Sequence, residues 1–563
     1  MSWQASIAYF SMEIALDPEL PTYAGGLGIL AGDMLHSAAD DGLPLVAVTL
    51  VHRHGYFRQS IGPDGEQIEE PAAWDPATRL VEMRPRAQVE IEERRVWLRA
   101  WRYSVEGAGG STIPVFLLDT DLPENSPADR AITNDLYGGD ASYRLCQEIV
   151  LGIGGVRMLR ELGFTALRRF HMNEGHSSLL TLELLRERMA LRGGGSVGDE
   201  DVRAVREICV FTTHTPVAAA VDQYPVDLVQ RALCAHGCAP VAPTFALDGV
   251  LNLTHLALSL SHYVNGVGKR HGEVSRHSYP LQAIDSITNG VRAATWASPP
   301  FQALFDRFIP DWRRDSQGLR RALAIPRDAV QQAHAGAKRA LVERLAGQLG
   351  AKLELERPIL GLARRMTQYK RVDLLFRDLG RLEKIAADCG GLQVVVGGKA
   401  HPRDLGGKEM VRRLAQIARA ASGALRVVFV PDYGWEWARF LVSGSDLWIN
   451  TPEPPLEASG TSGMKAAVNG VPSFSILDGW WAEGWIEGVT GWAIERHPGH
   501  ADDARDAALA SESLYEKLEL IILPVLAEPA RFAEIMRNAI ALNASYFNSE
   551  RMLDQYVVRA YFR

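Results

Sequence analysis

PILGLAR, residues 358–364, is a short apolar run that leads straight into a second arginine, Arg365. The same form returns at LQVVVGG (392–398), LRVVFVP (425–431), DLWINT (446–451) and PSFSILD (472–478). Apolar runs this short, closed by glycine, proline or polar residues, read as strands buried on both faces. Each of the first three is followed by a helical pattern, and strand–helix alternation predicts right-handed βαβ units on a parallel sheet. Upstream the rhythm is looser but recognisable, in SIAYFSM (6–12), LVAVTLV (45–51), IPVFLLD (113–119), RRFHMNE (168–174) and ICVFTTH (208–214). A long helical pattern runs from Tyr143 to Leu162. The expected fold class is therefore α/β, with two doubly wound Rossmann-like domains facing a central cleft. The stretch from Trp296 to about Glu356, opened by Pro299, Pro300 and Pro310, reads as the connection between them. After Asp478 the chain is expected to turn helical and stay so, with a C-terminal helix crossing back to the first domain. Expected domain bounds are 1–300, 301–540 and 541–563.

A chain of 563 residues is too long for one core, which agrees with two large domains. With 47% hydrophobic and 23% charged residues it has the profile of an ordinary soluble protein. A net charge of -8 argues against a nucleic-acid-binding surface as its main business. The apolar runs are short and interrupted, so no membrane span is expected, and the first residues lack the basic and apolar regions of a signal peptide. A cytoplasmic location is expected. The five cysteines, Cys146, Cys209, Cys234, Cys238 and Cys389, are sparse. They read as reduced thiols, and no metal site is expected at Cys234, His236 and Cys238 because no second ligand pair follows.

Five segments place glycine or polar residues where strands end. EASGTSGMKAAVNG (457–470) puts Lys465 one turn into a helix, behind a loop of small residues. Free amides at such a helix start favour an anion, and the lysine there serves as a cation or as the attachment point of a phosphorylated aldehyde cofactor. A plain cap with a solvent-facing lysine is the competing reading. ARRMTQYKR places Arg364, Arg365, Lys370 and Arg371 within eight residues, which calls for solvent or a compensating anion. YAGGLGILAGD, with Gly25, Gly26 and Gly28, is either an anion loop or a packing turn ahead of a helix starting near Ile29. HMNEGHSS holds Asn173, Glu174 and His176, but not at the spacing of a helical zinc site, and reads as polar lining. FTTHTP ends a strand on His214, whose competing role is a buried structural histidine. Together these segments suit a site for two phosphates, or for a phosphate and a phosphorylated cofactor, without saying which reaction runs there.

The same segments give the sequence a strong resemblance to the α-glucan (glycogen, starch and maltodextrin) phosphorylases, and to their shorter bacterial and archaeal branch. SIAYFSMEIAL, YAGGLGILAGD, LYGGDASYRLCQEIVLGIGGVRML, FHMNEGHSS, FTTHTP, VNGVGKRHGEVSR, ITNGV, ARRMTQYKR, VVGGKAHP, EASGTSGMKAAVNG and LDGWWAEG carry it, in the family's order. The resemblance implies a glycosyltransferase B fold with pyridoxal 5'-phosphate attached to the lysine of the G-M-K segment, here Lys465. It implies phosphorolysis of α-1,4-glucans or maltooligosaccharides from the non-reducing end to α-glucose 1-phosphate with retention, the cofactor's phosphate acting as the proton shuttle. Arg365, Lys370 and His214 are the implied catalytic set, the first two on the substrate phosphate. Lys465, Thr461, Ser462, Arg364, Gly26 and Tyr433 are implied around the cofactor and phosphates. Gly25, Asn289, Tyr369, Glu457, Ser459 and Gly460, with His214, are implied around the sugar. The implied partners are glucan and inorganic phosphate, with neither nucleic acid nor membrane, and a homodimer is in keeping with the family. The chain starts almost at the catalytic core, so control by phosphorylation or AMP at an N-terminal extension is not expected. A nucleotide-sugar glycosyltransferase and a non-catalytic glucan-binding protein remain the alternatives on this fold.

Overall fold

The computed structural model describes residues 5–216, 221–237, 239–495 and 503–562. Its compact units are discontinuous in the sequence. One comprises Met1–Phe57, Pro71–Ile287 and Leu553–Arg563, the other Arg58–Glu70 and Thr288–Met552.

The first unit carries, among the described residues, a nine-stranded sheet. Its order is Asp285–Ser286, Tyr263–Gly266, Cys209–Thr212, Arg169–Asn173, Ile7–Ser11, Leu45–Leu50, Thr112–Asp119, Arg94–Glu106 and Val81–Ile91. The first seven strands are parallel, and the last two pair antiparallel. Every residue of Ile7–Ser11, Leu45–Leu50 and Cys209–Thr212 is buried, as strands covered on both faces must be. The long antiparallel pair lacks that run of apolar residues. Its charged and apolar residues interleave, and one side is only half-buried. The expected helix from Tyr143 is present in three parts: Ala141–Ile149 capped by Asp140, a π-helical stretch Val150–Gly154, and Gly155–Glu161. Close packing accounts for its glycines, since a Cβ on Gly152 would stand 2.6 Å from Leu180 N and one on Gly155 2.6 Å from the Phe10 ring. Residues after 552 are tied into this unit, with Tyr561 Oη 2.7 Å from His171 Nδ1 and Tyr556 Oη 3.0 Å from Thr212 Oγ1.

The second unit carries a six-stranded, wholly parallel sheet among the described residues. Its order is Leu425–Val430, Leu392–Gly397, Ile359–Ala363, Leu447–Asn450, Ser473–Ile476 and Gly491–Ile494. The last strand corrects the expectation that only helix follows Asp478. It escapes notice because it is four residues long and opens on Gly491 at φ +151°, where a Cβ would lie 2.1 Å from Ser473 O. Residues 296–356 also depart from a plain connection. They form helices Pro299–Phe308, Ser316–Ala324 and Arg327–Leu349 inside this unit, the last packed on helix Trp435–Gly444.

The four described cysteines are free thiols, and Cys238 lies outside the described residues. No described helix is long and apolar enough to cross a membrane.

Candidate active site

Strand Ile359–Ala363 ends where its chain must turn, and Arg364 is buried directly behind it. Its Nη2 donates to Glu457 Oε2 at 2.5 Å, and Lys370 Nζ donates to both oxygens of the same carboxylate at 2.6 and 2.7 Å. Burial by itself would raise the Glu457 carboxyl, but Lys370 and Arg364 outweigh it and hold the group down at about 2. Two buried or half-buried cations therefore share one carboxylate and leave a net positive charge. Nε and Nη1 of Arg364 are buried without a hydrogen-bond partner among the described residues, as is Ser459 Oγ. Buried donors left unmade are costly, so these groups fit an anionic, oxygen-rich guest.

Lys465 is the fourth residue of the short helix Ser462–Val468, and it is buried rather than solvent-facing. Its Nζ lies 4.0 Å from the centroid of the Trp296 ring, which itself stacks on Trp435. Asn469 ties the two segments together, donating to both Trp296 O (2.9 Å) and Lys465 O (3.1 Å). Gly463 is needed for packing, because a Cβ there would meet the Trp480 ring at 2.6 Å. Gly460 sits at φ +79°, turning the chain between Glu457 and the helix. The Ser462 hydroxyl accepts from the Trp448 indole at 3.0 Å. Asn289 Oδ1 is a further buried acceptor without a partner among the described residues, on a segment pinned by Arg551, which donates to Thr288 O and Asn289 O.

In the first unit, His214 follows strand Cys209–Thr212. Its Nε2 lies 2.6 Å from Asn173 Oδ1, an acceptor, so Nε2 carries the hydrogen and Nδ1 is left as the accepting nitrogen. Burial, with His271, His171 and His176 nearby, lowers its pKa to about 3, and the ring is neutral at ordinary pH. Glu174, at φ +78°, accepts from Gly175 N, His214 N and Thr215 Oγ1 at 2.8–2.9 Å and so fixes the loop that carries His214. Gly25 caps helix Gly26–Asp40, which begins three residues earlier than the sequence suggests.

A family model described as carbohydrate phosphorylase matches residues 246–485. A maltodextrin phosphorylase of Thermococcus litoralis is 36% identical over 99% of this chain and 71% of its own length. A glycogen phosphorylase of Aquifex aeolicus is 34% identical over 100% of this chain and 86% of its own, and an uncharacterized protein of Methanocaldococcus jannaschii is 30% identical over 98% and 99%. The chain belongs to the α-glucan phosphorylase family.

Of the residues that resemblance to the family singles out, Arg364, Lys370 and Glu457 make one ionic cluster, with Tyr369 beneath the Lys370 ammonium at 4.6 Å. Arg365 is exposed at the same strand end, and Ser459, Gly460, Thr461, Ser462 and Lys465 follow Glu457 in one turn and helix. Tyr433 lies against Gly397, where a Cβ would stand 3.2 Å from its ring. Asn289 lies in the same unit, whereas Gly25, Gly26 and His214 lie in the other. Sequence reasoning missed Trp296, Glu13 and Asp478. Asp478 accepts from Glu457 N at 2.9 Å, and nothing in its local sequence signals that contact with a residue 21 positions away.

Proposed function

We propose that this chain is a pyridoxal phosphate-dependent α-glucan phosphorylase of the glycosyltransferase B type. It would release α-glucose 1-phosphate from the non-reducing end of α-1,4-glucans or maltooligosaccharides, with retention. The observation that supports it most directly is the Glu457 cluster: an excess of buried positive charge, orphaned donors on Arg364 and Ser459, and a buried Lys465. Such a surround suits two phosphates held close together. When bound, pyridoxal phosphate supplies the second phosphate, which exchanges a proton with inorganic phosphate.

In this reading the chain's own groups bind and orient. Lys465 anchors the cofactor, with the Trp296 face holding its nitrogen in place, and Arg364, Thr461, Ser462 and Tyr433 line the cofactor's pocket. Arg365 and Lys370 hold inorganic phosphate, and the Gly26 amide adds a donor. Glu457 stays ionised and is an acceptor only, suited to sugar hydroxyls that donate. His214 is neutral and offers Nδ1 as an acceptor, so its part is to orient a hydroxyl rather than to carry a proton. Tyr369, Asn289, Ser459, Gly460 and Gly25 complete the sugar contacts. Recognition through hydroxyl hydrogen bonds discriminates far more sharply than apolar packing.

Phosphate-dependent release of glucose 1-phosphate from maltooligosaccharides of graded length tests the reading, together with the absorbance of the purified protein. Lys465→Ala should lose the cofactor's absorbance and the activity. Turnover with ADP- or UDP-glucose and indifference to phosphate would replace the proposal with a nucleotide-sugar transferase. Oligosaccharide binding without turnover, cofactor and phosphate supplied, would leave a binding protein.

A further inference from the structure

We infer that Glu13 is a positioning residue for the Gly25–Gly26 turn, and hence for the binding of inorganic phosphate; this rests on the functional reading above. Glu13 follows strand Ile7–Ser11 and is buried at 1% exposure. Its Oε2 accepts from Ala24 N at 2.5 Å and Gly25 N at 3.1 Å, and its Oε1 accepts from Tyr137 Oη at 2.9 Å. A charged acceptor on two consecutive backbone amides fixes both peptide planes, and bonds of this kind are roughly twice as strong as neutral ones. The turn is thereby set just where helix Gly26–Asp40 begins. The first hydrogen bond into that helix is donated by Ile29 to Gly25 O, so the amides of Gly26, Leu27 and Gly28 are the donors a helix start leaves open.

The helix is shaped to let Glu13 in. A Cβ on Gly28 would lie 2.8 Å from Glu13 Oε2 and 2.6 Å from Tyr23 Cβ, and a Cβ on Gly32 would lie 2.0 Å from Ala15 O. Gly28 and Gly32 are four apart and share one face, so segment 13–15 runs at backbone distance along it, with Ala15 N donating to Gly28 O at 2.9 Å. Two glycines on that face give the carboxylate its approach, and the carboxylate holds the turn. Glu13 touches no reacting atom in this scheme. It sets the direction of the amides that follow the two it binds.

The test compares wild type with Glu13→Gln, which keeps the size but turns one acceptor into a donor. Amide exchange at Ala24 and Gly25 should accelerate in the variant while exchange in strand Arg169–Asn173 stays as in wild type. In steady state, KM for inorganic phosphate should rise about tenfold or more while KM for the glucan holds, since small misplacements of a positioning group cost this much. Gly28→Ala, which pushes a methyl into Oε2 while Glu13 is retained, should give the same pair of signatures and stands in if Glu13→Gln does not fold. Unchanged exchange at both amides, or an equal rise in both KM values, would overturn the inference. A wild-type chain without phosphorolysis would sink the functional reading instead, and the exchange result would still decide the role of Glu13 in the turn.

Discussion

Glu457 is an anion only because two cations hold it so. Its carboxyl falls from the ordinary 4.5 to about 2 through Lys370 and Arg364, against the opposing effect of burial. A carboxyl depressed in the folded state contributes stability above its unfolded pKa and loses it as pH falls through the folded one. Here that window runs from about pH 4.5 down to about 2, and the contribution is on the order of 3 kcal/mol. Glu457→Gln removes the charge and leaves Arg364 and Lys370 facing each other without it. Breaking a buried pair from one side typically costs about 3–5 kcal/mol. The expected result is a lower midpoint of urea unfolding for the second unit, followed by the fluorescence of its tryptophans. A midpoint equal to wild type would show that solvent already compensates these cations. A distinct outcome is expected at His214. Because Asn173 Oδ1 fixes the hydrogen on Nε2, Asn173→Asp should draw a proton onto the ring and raise its pKa above about 3, read by proton resonances of the imidazole.

At the scale of elements, the hairpin Arg58–Ile61 and Gln67–Glu70 is the piece whose place the sequence conceals. It lies in the first tenth or so of the chain yet belongs to the second unit. Gln59 donates to Gly398 O and accepts from Asp432 N, while Gln67 donates to Ala400 O and accepts from Ala400 N, all at 2.9–3.0 Å. The glutamines are themselves linked at 2.8 Å, and Asp432 Oδ1 accepts from Gln59 N. Two buried amides thus satisfy the loop after strand Leu392–Gly397 and the turn before Tyr433. Gln59→Ala should cost about 1–3 kcal/mol of second-unit stability, because Gly398 O and Asp432 N lose their partner in a buried place. Gln67→Ala should couple to it non-additively in a double-mutant cycle, since the two share one network. Full additivity would mean the glutamines act independently. Such a role is invisible in RQSIGPDGEQIEE, where glutamines alternate with exposed neighbours and nothing marks a distant partner. The parallel strands were legible for the opposite reason: PILGLAR and LQVVVGG need apolar residues on both faces wherever they sit in the sheet. Of the site, the cation run and the small-residue loop were legible as places where an anion could sit, though a solvated helix face and a plain cap read equally well from the sequence. That Arg364 and Lys370 meet on Glu457, or that Trp296 lies over Lys465, depends on folding together segments far apart in sequence.

The whole molecule should lose its structure to acid unevenly. His52, His171, His176, His214 and His271 all lie in the first unit, and burial lowers each to about 3 or 4 from the ordinary 6.5. Below about pH 6.5 the unfolded chain takes up protons at these positions while the folded one does not, so stability falls as pH falls. Glu148 and Glu174 in the same unit are shifted upward by burial and act in the opposite sense, each favouring the folded state as pH drops. The histidines outnumber them. The net effect is a loss of first-unit stability as the pH falls below about 6.5, through the range in which free histidines take up their protons. In the second unit, Glu457 begins to matter only below about pH 4.5. Amide exchange followed by mass spectrometry across this range should show strands Ile7–Ser11 and Arg169–Asn173 losing protection first. Strands Ile359–Ala363 and Leu392–Gly397 should hold until more acid conditions. The reverse order, or simultaneous loss, would mean that the histidines of the first unit reach their protonated state without unfolding it. In that case the Asn173–His214 and His171–Tyr561 contacts would have to rearrange locally, which exchange at Thr213 and His214 alone would reveal.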